Sequence, residues 1–314
     1  MTAGTHRRTP GSATDLLVRP LDEPLLDEAL AVLEASLGAG FTRQWYRWKH
    51  LDNPWGRSLG WVALDAEGVV GVRLVMRWRL AVDGQTVAAL RPVDTATAER
   101  ARRRGVFRLL ARTALGAAAG EAEILFNTPN EQSAPGYAAL GWTLSPLAWR
   151  VSATLPFGRG AAVAEGDEAL AGLPAFEAPA GRLATDADAA YLRWRYAAGW
   201  AAERGYRLLR LREADAPSLL VYRAARRGGL RLLTVLELLG PPAERRALVR
   251  TAARREHAAA VLALGGSGAR PAVGGASLRR GRLLLAVRPL APLLVDPARI
   301  DAWALGGGDV EAAL

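Results

Sequence analysis

The chain contains no cysteine, which removes disulfides, thiolate nucleophiles and cysteine metal sites together. Its three histidines, His6, His50 and His257, lie far apart and show no metal-ligand spacing. No apolar run reaches the ~20 residues that a membrane-spanning helix needs. The first residues, MTAGTHRRTPGSATD, lack the apolar stretch of a secretory signal, so 1–16 reads as a disordered tail. Lysine is almost missing as well. Lys49 is the only one, and arginines spread along the whole chain carry nearly all the positive charge. These absences predict a metal-free, cytoplasmic protein with no membrane contact. They also make nucleic acid an improbable partner, because the net charge of +10 is dispersed. A basic chain still favours anionic ligands through long-range attraction.

Apolar material is ample. Half of the 314 residues are hydrophobic, enough for one large domain or two of ordinary size. Strands are predicted at Trp61–Leu64, Val69–Arg79 and Val87–Val93, divided by the turns Asp65-Ala66-Glu67-Gly68 and Asp83-Gly84. An aromatic helix, RQWYRWKHLDNP over Arg43–Pro54, precedes them and ends at Asn-Pro. The same order recurs later: DAAYLRWRY at Asp188–Tyr196, then strand-like runs at Tyr206–Arg212, Ser218–Arg223 and Leu230–Leu238. Similarity of element order, more than of residues, suggests a duplication. The stretch 156–181, rich in Ala, Gly, Pro and Glu, reads as the linker between the copies. A helix at Pro242–Ala260, a Gly-rich loop to Gly275 and a strand at Arg282–Arg288 complete a mixed α/β pattern.

The most informative stretch is DTATAERARRRGVF, Asp94–Phe107. A strand leads in and an amphipathic helix leaves, with Arg102 and Gly105 spaced as the first and fourth positions of the turn between them. Glycine at such a junction lets several backbone N–H groups face one anion, and the new helix adds its positive end. Arginines there are mildly unfavourable against the helix dipole, so three together point to a bound phosphate that neutralises them.

Order and spacing resemble the GNAT superfamily of acyl-CoA-dependent N-acyltransferases. In that family a strand precedes an Arg/Gln-x-x-Gly-x-Gly/Ala turn, matched here at Arg102 and Gly105. A later Tyr-x-x-x-Gly-Phe ending is matched by Tyr137-Ala-Ala-Leu-Gly141-Trp142, and Asn127–Ser133 resembles a Pro-Asn-Glu-x-Ser stretch of one bacterial branch. The resemblance covers about Val18 to Val151 and extends suggestively into the second half. It implies an α/β (α+β) chain of two tandem domains, each a mixed, mainly antiparallel sheet flanked by helices. An acyl-CoA-binding domain would span 17–155 and a degenerate copy 182–314. Phe107 departs from the family's small residue. Gly240-Pro-Pro-Ala-Glu244 replaces the phosphate turn in the second copy, where prolines have no N–H to donate.

The resemblance further implies roles. Backbone N–H groups from Arg103 through Phe107 (Arg103, Arg104, Gly105, Val106 and Phe107) would hold the diphosphate of acetyl-CoA, with side chains of Arg102–Arg104 assisting. The strand Thr95-Ala96-Thr97 would pair with the pantetheine arm, and Asn130 and Ser133 would serve it or shape their own loop. Tyr137 would protonate the leaving thiolate. Asp94, Glu131 or a water chain would take the proton of the acceptor amine. The helix Trp45–Trp48, with Asp52 and Asn53, would line the acceptor side or simply pack. Direct attack is expected, since no cysteine can carry the acyl group. The alternatives are aminoacyl transfer of the Fem type and a non-catalytic CoA-binding scaffold.

Overall fold

The structure, a computed structural model, describes residues 15–154, 160–197, 199, 203–265 and 277–310. Nearly all of the predicted tail and the Gly-rich loop ending at Gly275 lie outside the described residues. The chain packs as two compact units: Met1–Arg77 with Leu90–Ala122, and Trp78–Ala89 with Glu123–Leu314. Two long stretches of strand, Gly68–Val82 and Gln85–Thr97, each contribute residues to both units.

In the first unit β1 (Leu17–Pro20) leads to helices α1 (Leu26–Leu37) and α2 (Arg43–Tyr46). Thr42 caps α2, its hydroxyl accepting from the Trp45 N–H at 3.1 Å. The helix then widens into a π-turn over Arg47–Leu51, where the Asp52 N–H donates to Arg47 O at 2.9 Å, five residues back. Strands β2 (Leu59–Asp65), β3 (Gly68–Val82) and β4 (Gln85–Thr97) follow. β1 and β2 are antiparallel, as are β2 and β3. Asp83 and Gly84, with φ of 47° and 78°, make the tight turn between β3 and β4. Helix α3 (Val106–Ala118) buries Val106, Leu110, Ala111, Ala114 and Ala118, one helical stripe. It meets β3 at Gly71, where an added Cβ would overlap the Val106 side chain. That close approach fixes where the first turn of α3 sits.

The second unit contains β5 (Ile124–Asn127), α4 (Ala134–Ala138), β6 (Thr143–Ala153), β7 (Val163–Glu165), α5 (Gly166–Leu170), β8 (Ala184–Thr185) and α6 (Ala189–Tyr196). It continues through β9 (Tyr206–Leu211), β10 (Leu219–Arg227), β11 (Leu230–Leu239), α7 (Pro242–Arg255), β12 (Ala260–Gly265) and β13 (Ser277–Pro289). The sheet order here is β5-β13-β6-β12-β11-β10-β9-β7. All neighbours whose direction is defined are antiparallel except β11 and β12, which need the crossover helix α7. α7 packs Leu248, Val249 and Ala252 on a core with Leu209, Tyr222 and Val261.

Two predicted boundaries shift. The stretch read as a linker carries β7, paired with β9, and α5. Its Ala/Gly/Pro-rich composition conceals Val163, Ala164, Ala169 and Leu170, which are buried. The helix expected to reach Ala260 stops at Arg255, because buried Glu256 turns to ion-pair with Arg207 and, at 2.7 Å, with Arg231. His257 follows with a left-handed φ of 48°.

Candidate functional site

After β4 ends at Thr97, a 3-10 turn at Glu99–Ala101 brings the chain to Arg102. Two left-handed residues then alternate with ordinary ones: Arg103 at φ 65° and Gly105 at φ 80°. Alternating backbone hands of this kind turn successive N–H groups toward one concavity, an anion nest. The first bond inside α3 runs from the Leu109 N–H to Gly105 O at 3.0 Å. Among the described residues, the N–H groups of Arg103, Gly105 and Val106 have no acceptor. They lie at the positive end of a thirteen-residue helix.

Parts of the expected cradle behave otherwise. The Arg104 N–H is used internally, donating to Ala101 O at 3.3 Å. The Arg104 guanidinium is also committed, 3.0 Å from Asp65, which Arg100 holds at 2.6 Å. An internal carboxylate therefore engages both Arg100 and Arg104, which corrects the expectation that all three arginines of the triplet await a phosphate. Arg102 and Arg103 are exposed and have no ion pair among the described residues. Phe107 is half-buried and turns its ring toward the buried Arg73, whose guanidinium carbon lies 5.5 Å from the ring centre.

Hydrogen bonds from Arg100, Glu67 N–H and Arg104 hold the Asp65 carboxyl down at about 2, against an ordinary 3.8. A carboxylate depressed in the folded state adds stability above its unfolded value, and that stability is lost as pH falls from about 4 toward 2. We expect Asp65→Asn to flatten this acid limb. Urea midpoints of parent and variant should differ at pH 7 and converge near pH 2. A constant difference across that range would contradict the assignment.

At the end of β4, Ala96 is buried while Thr95 and Thr97 are half-buried. The Thr95 hydroxyl donates to Val93 O at 3.1 Å, and Ala98 N–H ties the strand end to Val70 O at 2.9 Å. Asp94 departs from the strand with φ 40°. Its carboxylate lies 2.8 Å from Lys49 Nζ and 3.2 Å from His50 Nε2. His50 Nδ1 is 2.9 Å from Ser58 Oγ. Burial pushes the Asp94 carboxyl up, but Lys49 and His50 more than offset this, and it ends below its usual range. A carboxylate held charged by an ammonium makes a poor base. The sequence reading missed Lys49, His50 and Ser58. The π-turn places Lys49 and His50 inward, and both are buried. Trp45, Trp48 and Asn53 are buried too, with Lys49 over the Trp45 ring at 5.1 Å. These side chains pack within the first unit.

In the second unit, Tyr137 is fully enclosed and its oxygen accepts from Asn127 Nδ2 at 2.9 Å. Trp142 stacks edge-on at 4.9 Å. Gly141, at φ 76°, turns the chain so that the Trp142 N–H returns to Tyr137 O at 3.2 Å. Asn127 is a further residue missed from the sequence; its Oδ1 also accepts from Thr128 N–H at 2.8 Å. Asn130 Oδ1 takes both the N–H and the hydroxyl of Ser133 at 2.9 Å. These bonds shape the loop that follows β5. Glu131 is exposed and unpaired among the described residues. No group of His, Asp and Glu among the described residues could hold a metal ion, and no described helix is long and apolar enough to cross a membrane.

Residues 17–145 match the acetyltransferase (GNAT) domain family. None of the curated proteins matches the chain. Among solved structures, a GCN5-related N-acetyltransferase from Kribbella flavida is similar at 19% identity and TM-score 0.63, over 88% of this chain and 72% of that one. Another from Anabaena variabilis is similar at 13% identity and TM-score 0.64, over 88% and 73%. Eis1 from Mycobacterium abscessus is similar at 16% identity and TM-score 0.58, over the same shares.

Proposed function

We propose that this chain, a GNAT superfamily member through its domain at residues 17–145, transfers an acetyl or other short acyl group from coenzyme A to an amine. The observation that carries the reading is the turn into α3, with its three unpartnered N–H groups at Arg103, Gly105 and Val106. Those amides, with Arg102 and Arg103 supplying charge, suit a diphosphate. Thr95-Ala96-Thr97 would offer main-chain partners to the pantetheine amides.

In the reaction, the amine nitrogen attacks the thioester carbonyl. A C–N bond forms, the C–S bond breaks, and the sulfur leaves as a thiolate that needs a proton. Tyr137 is the proposed donor. Asn127 already donates to its phenol oxygen, which stabilises a developing phenolate. The amine's own proton must pass to a base. Asp94 is held charged by Lys49 and suits positioning better than proton uptake, whereas exposed Glu131 or water is free to accept. The halves 17–155 and 182–314 are proposed as copies of one unit. The succession β9-β10-β11-α7-β12 repeats β2-β3-β4-α3-β5.

The test is thiol release from acetyl-CoA across a panel of sugar amines, amino acids and peptide N-termini. Tyr137→Phe should lower kcat by about 10²-fold or more while acetyl-CoA affinity stays within about twofold. Unchanged kcat would remove Tyr137 as the acid. Acetyl-CoA binding without thiol release for any amine would favour a scaffold.

A further inference from the structure

Strands β11 and β12 pair in parallel at only three positions, Leu232↔Ala260, Leu233↔Val261 and Thr234↔Leu262. Beyond these they part. Residues 235–239 of the first, Gly240 after it, and 263–264 of the second line a cavity of about 330 Å³ within the second unit, near the lower end of small-molecule sites. The first turn of α7 contributes Arg245, and the segment Ala304–Asp309 covers another side.

Glu237 lines this cavity and is 6% exposed. Its Oε1 accepts from Tyr196 at 2.6 Å and Tyr191 at 3.3 Å. Its Oε2 accepts nothing from the described residues. Nearby Asp309 is already occupied, accepting from the Thr185 hydroxyl at 2.6 Å and the Gly306 N–H at 2.7 Å. Arg195 is turned to Gly308 O at 3.1 Å. A buried carboxyl with one bare oxygen beside a cavity avoids an unpaired charge by holding a proton or by taking a cation. Arg245 is the opposite case. Its guanidinium is half-buried, makes no hydrogen bond or ion pair among the described residues, and sits at the positive end of a helix. That is an unfavourable place for a cation unless an anion joins it. Pro241 and Pro242 remove two N–H donors there, leaving room for a single carboxylate rather than a diphosphate.

We infer that this cavity binds a small zwitterion of the amino-acid class, its ammonium on Glu237 Oε2 and its carboxylate on Arg245. The aliphatic side chains of Leu236 and Leu264 would receive an apolar side chain. The site is separate from the acyl-CoA turn, and the inference does not rest on that turn. Desolvation and Asp309 push the Glu237 carboxyl up to about 8, so at pH 7 it carries a proton that an arriving ammonium displaces. Arg195, Tyr191 and Tyr196 also face it, and Glu177 lines the same cavity.

L-Leucine and L-phenylalanine, titrated calorimetrically into the full chain at pH 7, test this. At least one should bind, releasing close to one proton per ligand when buffers of different ionisation enthalpy are compared. 3-Methylbutylamine, which lacks the carboxylate, and N-acetyl-L-leucine, which lacks the ammonium, should each bind at least tenfold more weakly. Glu237→Gln should lose at least tenfold affinity and abolish the proton release. Arg245→Ala, at a half-exposed helix turn, should lose a similar factor even if the Glu237 variant fails to fold. Both Arg245→Ala and the parent should bind acetyl-CoA equally. No heat from either amino acid at about 10 mM, where a Kd near 1 mM would saturate, would overturn the site. So would unaltered affinity in Arg245→Ala.

Discussion

Gly105→Pro should lose acetyl-CoA binding by roughly 10²–10⁴-fold. Proline fixes φ near −65°, whereas Gly105 sits at +80°, so the turn must change hand. The substitution also deletes one of the three unpartnered N–H groups and displaces its neighbours. Each hydrogen bond to a charged group contributes about 1.5–3 kcal/mol, and two of them account for the range. Gly105→Ala keeps the N–H and meets only the left-handed penalty of roughly 1–2 kcal/mol, giving about a tenfold loss. Calorimetry on both variants, with circular dichroism to follow helix content, separates a lost ligand from a lost helix. Parent-like affinity in Gly105→Pro would show that the diphosphate is held elsewhere.

Asp94→Ala is expected to destabilise the fold by about 3–5 kcal/mol, the usual consequence of stranding one member of a buried ion pair. Lys49 is 5% exposed and has Asp94 at 2.8 Å, and the π-turn that carries it cannot swing the ammonium into water without pulling His50 from its packing against Trp45 and Tyr46. The double variant Lys49→Met, Asp94→Ala should recover most of the loss, because removing both charges removes the stranded one. Urea unfolding of both singles and the double closes the cycle. Additive losses would mean that the pair does not couple. The pH response has a definite sign: the Asp94 carboxyl is lowered in the folded protein, so its contribution is present above about 4 and fades as pH falls below that.

Much of the fold was legible in the chain because local rules agreed with the final packing. The strands β2 and β3, the Asp-Gly turn and the stripe on α3 all lie where the sequence places them. The turn at Arg102–Phe107 was legible for the same reason, since a glycine between strand and helix has few other uses. What escaped was set by partners distant in sequence. Asp65 precedes Arg104 by 39 positions yet engages it, and nothing in the triplet of arginines signals that. Lys49 offered a clue in being the only lysine among so many arginines. Its role became visible only when the π-turn brought it to Asp94. The segment 156–181 was misread because strands made of Ala and Val beside Gly and Pro look like tether. Tyr137 was singled out for its chemistry, but its enclosure and its partner Asn127 were not foreseen, because Asn127 lies across a loop that composition does not fold.

The account depends on main-chain amides at the start of α3 gripping a diphosphate. The most direct measurement compares coenzyme A with pantetheine, which has the same thiol arm and no diphosphate, by calorimetry on the parent chain. Coenzyme A should bind at least about a hundredfold more tightly, consistent with loss of two charge-assisted hydrogen bonds. Equal affinity for the two, or binding of neither, would contradict it.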